Sequence, residues 1–512
     1  MKDLIAAQDA VTTDDFLIAA EKETQAERRL KFVRLATWIK AHAPHSQIGD
    51  TWFVDPTVPE GAGIVAARDI EADELIMSIP RALMMSFETA LKSPIGGLIA
   101  RDPMLNSQRS LALSLHLFLE RMNPDSPWAV YIDTLPTKFT SPFTATLAEL
   151  APLRGSAEFY SILTTFKALV RQYCHSYTLL RSQKRLNLPL PTFKQFRWAC
   201  LTIMARQNRI PATNAVDTPR GPTTVLCLIP GFDCFNHVDM VGEITTCFVP
   251  TNQCSETTAP RAVKKGEQIY IIYGERPNSK LFTYQGFVVP NLSTDKVRVP
   301  FSMPVPPPTP QLAGAGNKKK DQKKTDPLSE ARIGLLSRLA LFHPEIELPL
   351  KTKYAPWDQM PPPFAPLSAF RDAWKAAYVR SMEKNEIDLT TITATNVLQN
   401  LNSKFLGDAL IKVRMMADEA HEKGNQFEPP GIMFQEDCPA HILPRVNKMF
   451  KQMIEAALMA YAVDAEIEKE GDSEITKLCR MLIKEEKNLL KSQLALFETS
   501  EADASSVETK TQ

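Results

Sequence analysis

The sequence has no Cys-x-x-Cys pair. Its eight cysteines lie apart, at 174, 200, 227, 234, 247, 254, 438 and 479. That spacing excludes a zinc ribbon and a disulfide framework, and it fits a reducing compartment. No stretch approaches about 20 consecutive apolar residues, so no membrane-spanning helix is expected. The opening MKDLIAAQDAVTTDDFLIAAEKE is acidic and too polar for a signal peptide. Nor is there an excess of charge, because 59 Lys plus Arg balance 59 Asp plus Glu. A neutral chain lacks the basic footprint of a dedicated nucleic-acid binder. The expected partner is therefore a protein or a small molecule. The expectation is a monomer in the cytoplasm, with the nucleus as a second compartment.

What is present is length and apolar content. The chain has 512 residues, 44% of them hydrophobic, enough for two or three domains with sizeable cores. Residues 1–50 read as helix, with Leu30, Val33, Leu35 and Trp38 on roughly one side. Residues 51–90 change to short β-prone runs punctuated by Gly61 and Gly63, including GIVAARDI and ELIMSIP. Helical patterns return over 91–215. One helix runs through SLALSLHLFLERM with Ser107 as its cap, a second spans about Ser156 to Leu180, and a third follows Thr192. From 222 to 300 the chain reads as strands again: TTVLCLIP, EITTCFV, EQIYIIYG, FVVP and KVRVPF.

Residues 301–327 are rich in proline and lysine and read as a linker, with Lys318–Lys320, Lys323 and Lys324 either solvated or a nuclear-import patch. Residues 328–500 read as a helical domain. Stripes at Val446, Met449, Phe450, Met453, Ile454, Ala457 and Tyr461, and at Ile475, Leu478, Leu482, Leu489 and Leu490, are its packing faces. Asp472 or Ser473 can cap the last helix, and residues 501–512 read as a disordered tail. The fold class is thus α+β: small sheets with a helical insert, then an all-helical domain. Neither β segment can hold a core alone, so the two must meet in space.

Three stretches carry chemistry. Glu60-Gly61-Ala62-Gly63 lets backbone approach a ligand closely, although alone it reads as a hairpin turn. Arg206-Gln207-Asn208-Arg209-Ile210-Pro211 reads as a polar helix end before a loop. The third is the densest. An apolar run leads to Gly231-Phe232-Asp233-Cys234-Phe235-Asn236-His237, followed by Gly266-Glu267 and a strand reaching Tyr273-Gly274. Tyr273 alone would read equally well as a core tyrosine. Asp233, Cys234 and His237 have no companion cluster, and a catalytic zinc usually needs three protein ligands, so no metal is expected. His237 reads as a structural imidazole and Cys234 as a small buried group.

Together these stretches resemble the SET-domain methyltransferases. The run SPWAVYIDTLP, residues 126–136, resembles the helical insert of the class related to the Rubisco methyltransferase. The helical C-terminal region is similar to that class's substrate-binding domain. The runs FRWACLTIMARQNRIP, IPGFDCFNH and GEQIYIIYGERPN are similar to those of SET enzymes that methylate a histidine of actin. The resemblance implies S-adenosylmethionine as cofactor and actin as protein partner. It implies cofactor contacts at Arg28, Glu60, Gly61, Ala62, Arg206, Asp233, Cys234, Phe235, Asn236, His237, Gln285, Gly286 and Phe287. It implies catalytic roles for Tyr273 and Asn208, and acceptor contacts also at Phe232, Ile271 and Arg276. Phe232 stands where those enzymes have tryptophan, and Gln285 where they have serine.

The acceptor's basicity separates two chemistries. A lysine with a pKa near 10.4 costs about 4 kcal/mol to deprotonate at about pH 7.4, whereas a histidine near 6.5 is already mostly neutral. A histidine enzyme must instead fix tautomer and ring plane, which a carboxamide such as Asn208 can do. The competing expectations are a lysine methyltransferase acting on a non-histone protein and a binding module without catalysis.

Overall fold

The computed structural model describes residues 17, 23–218, 221–239, 246–300, 345–349 and 443–508. Two compact units divide the chain. The first comprises Met1–Ala151, Phe159–Thr294 and Glu468–Leu482; the second comprises Pro152–Glu158, Asp295–Ile467 and Ile483–Gln512.

The first element with described bounds is α1 (Gln25–His42). Thr24 and Glu27 form a reciprocal cap there, each side chain meeting the other's backbone N–H. The strands β1 (Trp52–Asp55), β2 (Gly63–Ala66), β3 (Leu75–Pro80) and β4 (Met85–Ser86) follow. The helical insert holds α2 (Phe87–Lys92), α3 (Gly96–Arg101), α4 (Pro103–Ser107), α5 (Arg109–Met122), α6 (Ala129–Ile132), α7 (Ala157–Ser182) and α8 (Phe193–Arg206). Next come β5 (Asn208–Pro211), β6 (Asp217–Thr218), β7 (Gly221–Pro222), β8 (Thr224–Leu228), β9 (Asn236–His237), β10 (Thr246–Val249), β11 (Cys254–Thr258) and β12 (Gln268–Ile271). A short α9 (Asn278–Lys280) runs into a π-helical turn, Leu281–Gln285.

The two β segments do meet. Strand order is β1-β2-β12-β9 in one sheet, β10-β11-β3 in a second and β4-β8-β5 in a third. Each of these sheets draws strands from both sides of the helical insert. The pairing of β12 with β9 is parallel, with Tyr270 opposite Asn236 and Ile271 opposite His237. That single pairing carries the Asn-His segment to the tyrosine-bearing strand. Beneath it lies a continuous apolar core including Leu35, Ile39, Trp52, Ile64, Phe118, Tyr131, Phe196 and Phe235. Trp52 is fully buried, and its indole N–H is satisfied by the Ser46 carbonyl at 2.9 Å.

Several expectations are corrected. On α1 the buried face is Phe32, Leu35 and Ile39, whereas Leu30 and Val33 face solvent at 49% and 60% exposure. Positions 32, 35 and 39 keep helical spacing, which the set 30, 33, 35 and 38 does not. Ser107 ends α4 instead of capping α5, and Gln108 takes the cap position without a side-chain bond to the helix backbone, its Oε1 accepting from Gln172 instead. Asn208–Pro211 is strand β5 and not a helix end, because it pairs with β8. The run FVVP is not a strand. Both backbone groups of Val289 are taken by the Asn278 carboxamide, at 2.7 and 2.9 Å, so no sheet partner is needed. Strand β11, the middle strand of its sheet, was not expected from the sequence.

In the second unit, β13 (Lys296–Pro300) pairs antiparallel with β14 (Glu345–Pro349). Helix was expected over 328–500, but Glu345-Ile346-Glu347-Leu348 alternates with the period of a strand. The helices α10 (Leu443–Ala460) and α11 (Glu474–Glu508) follow, the first turns of α11 belonging to the first unit. Ser473 caps α11, and the helix continues past the expected tail boundary at 501. Ile454, Tyr461, Leu489 and Leu490 are buried as their spacing implies. The linker 301–327 and the rest of 328–442 lie outside the described residues. No helix among the described residues is long and apolar enough to cross a membrane. The seven described cysteines are free thiols, and Cys438 lies outside them.

Candidate functional site

The site is built where β2, β9 and β12 adjoin. Gly61 and Ala62 precede β2, and two side chains hold their carbonyls. Arg28, on α1, donates to Gly61 O at 2.9 Å, and Asn236 donates through Nδ2 to Ala62 O at 2.9 Å. Residues 33 and 174 positions apart are thus drawn to one short loop. Glu60 lies at the rim, exposed, with Gln268 and Tyr270 each 3.5 Å from its carboxylate.

The apolar strand β8 ends at Leu228 and feeds the 3-10 turn Phe232–Cys234. Asp233 is tied there from three sides. Its Oδ1 accepts from Ile229 N at 3.2 Å, its Oδ2 accepts from the Tyr131 hydroxyl, and its carbonyl accepts from Arg206 Nη1. Burial pushes the Asp233 carboxyl up to about 7, opposed by the Arg206 charge and the Tyr131 hydrogen bond. Burial likewise pushes the Cys234 thiol up to about 12. A thiol so raised packs as a small apolar group and is no nucleophile.

Tyr273 follows β12. Its hydroxyl donates to Phe235 O at 2.6 Å, and its backbone N–H donates to His237 Nδ1 at 3.2 Å. That contact makes Nδ1 of His237 an acceptor, and burial lowers the ring's pKa, so the imidazole is neutral. The rings of His237, Tyr273 and Phe287 cluster with centroid separations of 5.2, 5.9 and 6.3 Å. Burial pushes the Tyr273 phenol up to about 12. Gln285 closes the π-helical turn, its carboxamide lying between Lys280 O and the Arg276 guanidinium. Gly286 then reverses the chain at φ +83° and hands it to Phe287.

Asn208 opens β5, directly after α8. Its Nδ2 donates to Arg206 O at 3.1 Å, and among the described residues its Oδ1 has no hydrogen-bond partner. Arg276 is half-buried, and desolvation lowers its pKa. Phe232 and Ile271, expected as acceptor contacts, are core side chains at 5% and 6% exposure, Phe232 lying edge-on to Phe235. The structure therefore joins Arg28, Gly61, Ala62 and Asn236 in one group, Arg206 and Asp233 in a second, and Phe235, His237, Tyr273 and Phe287 in a third. Chain continuity from Asp233 to His237 connects all three.

Two features were not expected from the sequence. Among the described residues, Gln207 Oε1 and Arg206 Nε are both buried without a partner. Tyr131 reaches Asp233 from the insert. The signal for the first was its place inside the Arg-Gln-Asn-Arg run, and for the second the distinctive SPWAVYIDTLP stretch.

Residues 61–274 match the SET domain family. The chain contains a SET domain. A relative from Papio anubis, "Actin-histidine N-methyltransferase", is 36% identical over 244 residues, covering 47% of this chain and 40% of the relative. The Danio rerio protein of the same name is 36% identical over 254 residues, 49% of this chain and 41% of its own length. The chain thus spans about two fifths of the length of these relatives. The SET domain of LSMT bound to lysine and AdoHcy superposes with a TM-score of 0.60 at 18% identity, over 93% of this chain and 92% of that one. The likeness extends past the SET domain, so the fold is that of the LSMT structures: small sheets, a helical insert and further helices.

Proposed function

We propose that this chain transfers a methyl group from S-adenosylmethionine to a histidine side chain of actin. The observation that carries the reading is convergence. Segments within the SET-domain match of residues 61–274 (Gly61-Ala62, Asp233 to His237, and Tyr273) are joined through direct hydrogen bonds, in a chain 36% identical to actin-histidine enzymes over 244 residues. The residues fit the cofactor. Among the described residues, Arg206 Nε is a buried cationic donor without an acceptor, and Gln207 Oε1 a buried acceptor without a donor. Buried polar groups require partners, and a zwitterionic amino-acid group supplies both kinds. Arg28, Arg206 and the backbone of Gly61 and Ala62 would hold that group. When bound, S-adenosylmethionine supplies an electrophilic methyl group.

The chain's own residues then have distinct tasks. Tyr273, with its phenol pushed up to about 12 and its proton committed to Phe235 O, is not a base at neutral pH. Its oxygen retains lone pairs for weak C–H···O contacts. A histidine acceptor needs no base, because it is already mostly neutral. Asn208 has Nδ2 committed to Arg206 O, which leaves Oδ1 to accept the N–H of the ring nitrogen that does not react. That contact fixes tautomer and ring plane together. A cytoplasmic, monomeric enzyme belongs to the same reading.

The test is a methylation assay with the purified chain, labelled S-adenosylmethionine, actin, its histidine peptide and the same peptide with lysine. Transfer to histidine only is the expected result. Transfer to lysine only would replace the acceptor with a lysine of a non-histone protein. No transfer, with cofactor bound, would leave a binding module. Tyr273→Phe should lower turnover about 100-fold, the effect of losing one polar contact in the transition state, while the protein stays folded.

A further inference from the structure

We propose that Tyr131 is a positioning residue of this site: its hydroxyl, bonded to the Asp233 carboxylate, sets the turn whose carbonyl holds Arg206. The inference rests on the methyl-transfer reading and gives the SPWAVYIDTLP stretch a task in it.

The stretch is held at 128, 131, 133 and 136, the Asp133 carboxylate accepting from Arg121 Nη1 at 3.2 Å and lying 3.4 Å from Lys31 Nζ. Trp128 Nε1 donates to Leu83 O at 3.0 Å, and Pro136 O accepts from Trp198 Nε1 at 2.9 Å. Both anchors attach it to the surrounding framework. Tyr131 differs in where it points. Its ring is buried in the core at 1% exposure, and its hydroxyl donates to Asp233 Oδ2. The acceptor is a side chain inside the Asp233–His237 segment, not framework backbone. A phenol donating to a carboxylate is a charge-assisted bond, about twice the strength of a neutral one.

The consequence passes through Asp233. With Ile229 N on Oδ1 and Tyr131 on Oδ2, the carboxylate is fixed at both oxygens. A fixed side chain fixes the 3-10 turn Phe232–Cys234 that bears it. The carbonyl of Asp233 then stands where Arg206 Nη1 can reach it, and that bond orients the guanidinium, whose Nε has no partner among the described residues. Tyr131 acts on the cofactor end of the site through two intervening groups and touches no reacting atom.

Loss of the hydroxyl also changes charge. The Tyr131 hydrogen bond lowers the pKa of Asp233 against the larger effect of burial. The other titratable groups facing that carboxyl are Arg206 at the end of α8, Cys227 on β8, Cys234 in its own turn, and Tyr273 beyond β12. Removing the phenol raises the pH at which Asp233 ionises, a change that lost packing alone would not make.

The experiment titrates the full chain with S-adenosylhomocysteine calorimetrically between about pH 6 and pH 9, a range that spans the ionisation of Asp233. Tyr131→Phe keeps the ring and removes one bond. Trp128→Phe removes a framework bond from the same stretch and serves as the structural comparator. Tyr131→Phe should weaken binding about tenfold, the loss of one hydrogen bond to a charged group. It should also move the midpoint of the pH profile up by about one unit. Trp128→Phe should lower the melting temperature and leave the midpoint in place, and Asp233→Asn should abolish the midpoint. Equal affinity and midpoint for Tyr131→Phe and the parent would overturn the proposal alone. So would an equal shift in Trp128→Phe, or a midpoint that survives Asp233→Asn. Failure of the parent to bind would overturn the methyl-transfer reading and this one together.

Discussion

Gly286→Ala is the sharpest perturbation available, because a second glycine serves as its control. Gly286 sits at φ +83° and Gly266 at φ +84°, so alanine at either position suffers the same left-handed strain. That strain is about 1–2 kcal/mol. Around Gly266 an added methyl would meet none of the described residues within 4 Å. At Gly286 it would run into the Thr140 carbonyl, with the carbonyl carbon only 3.1 Å away. Forcing a methyl group against fixed backbone adds about 1–3 kcal/mol. The expected costs are therefore about 1–2 kcal/mol for Gly266→Ala and about 2–5 kcal/mol for Gly286→Ala. Relief requires the turn to move, and Gly286 N closes that turn with bonds to Leu281 O at 2.9 Å and Phe282 O at 3.2 Å. Phe287 would move with it, away from His237 and Tyr273. An aromatic contact is worth about 0.5–1.5 kcal/mol, so S-adenosylhomocysteine affinity should fall about fivefold in Gly286→Ala. In Gly266→Ala it should not change. Thermal melts measure the first difference and calorimetric titration the second. Equal melting temperatures and equal affinities in the two variants would refute the steric argument.

Other outcomes follow from single environments. Asn208→Ala should reduce transfer to histidine about 10- to 100-fold, the cost of one buried hydrogen bond, with little change in cofactor affinity; an equal fall in both would make Asn208 structural. Glu486 is buried, accepts from Tyr461 at 2.8 Å and Ser156 at 3.1 Å, and is pushed up to about 8 by burial first and then by Glu158 and Asp295. An acid with a raised folded pKa stabilises most below its unfolded value of 4.5, and that contribution is lost as pH rises through about 8. The parent's melting temperature should therefore fall across this window relative to Glu486→Gln, and parallel profiles would remove Glu486 from the pH response. Exposed Cys247 should react with a maleimide in the folded state, whereas Cys200 and Cys234, buried and pushed up to about 12, should react only after unfolding. Peptide mass mapping would read the order of labelling.

The sequence made some elements legible and hid others for physical reasons. Thr192 was readable as a helix start because its cap is local: its hydroxyl meets Gln195 N, and the Gln195 carboxamide answers Thr192 N. Strands β2, β3, β8 and β12 were readable because burial leaves a continuous or alternating apolar run. Strand β11, Cys-Ser-Glu-Thr-Thr, carries no such run and owes its state to the neighbours it pairs with. At Val288 and Val289 the β-branched residues suggested a strand, but the Asn278 side chain satisfies the backbone of Val289 instead.

By itself the sequence marked Gly61-Ala62, Asp233 to His237 and Tyr273 as candidates, through their resemblance to the SET-domain methyltransferases. It also determined the alternation of β segments with a helical insert, because periodicity and capping are local. Only the tertiary structure decided which of those residues touch. Arg28 reaches Gly61 across 33 positions and Asn236 reaches Ala62 across 174. Tyr131 reaches Asp233 across 102. Hydrogen bonds at such separations leave no local pattern in a chain, because their geometry is set by strand pairing and core packing elsewhere. The same packing raises Asp233 and Tyr273 above their ordinary pKa ranges, which residue type alone does not record.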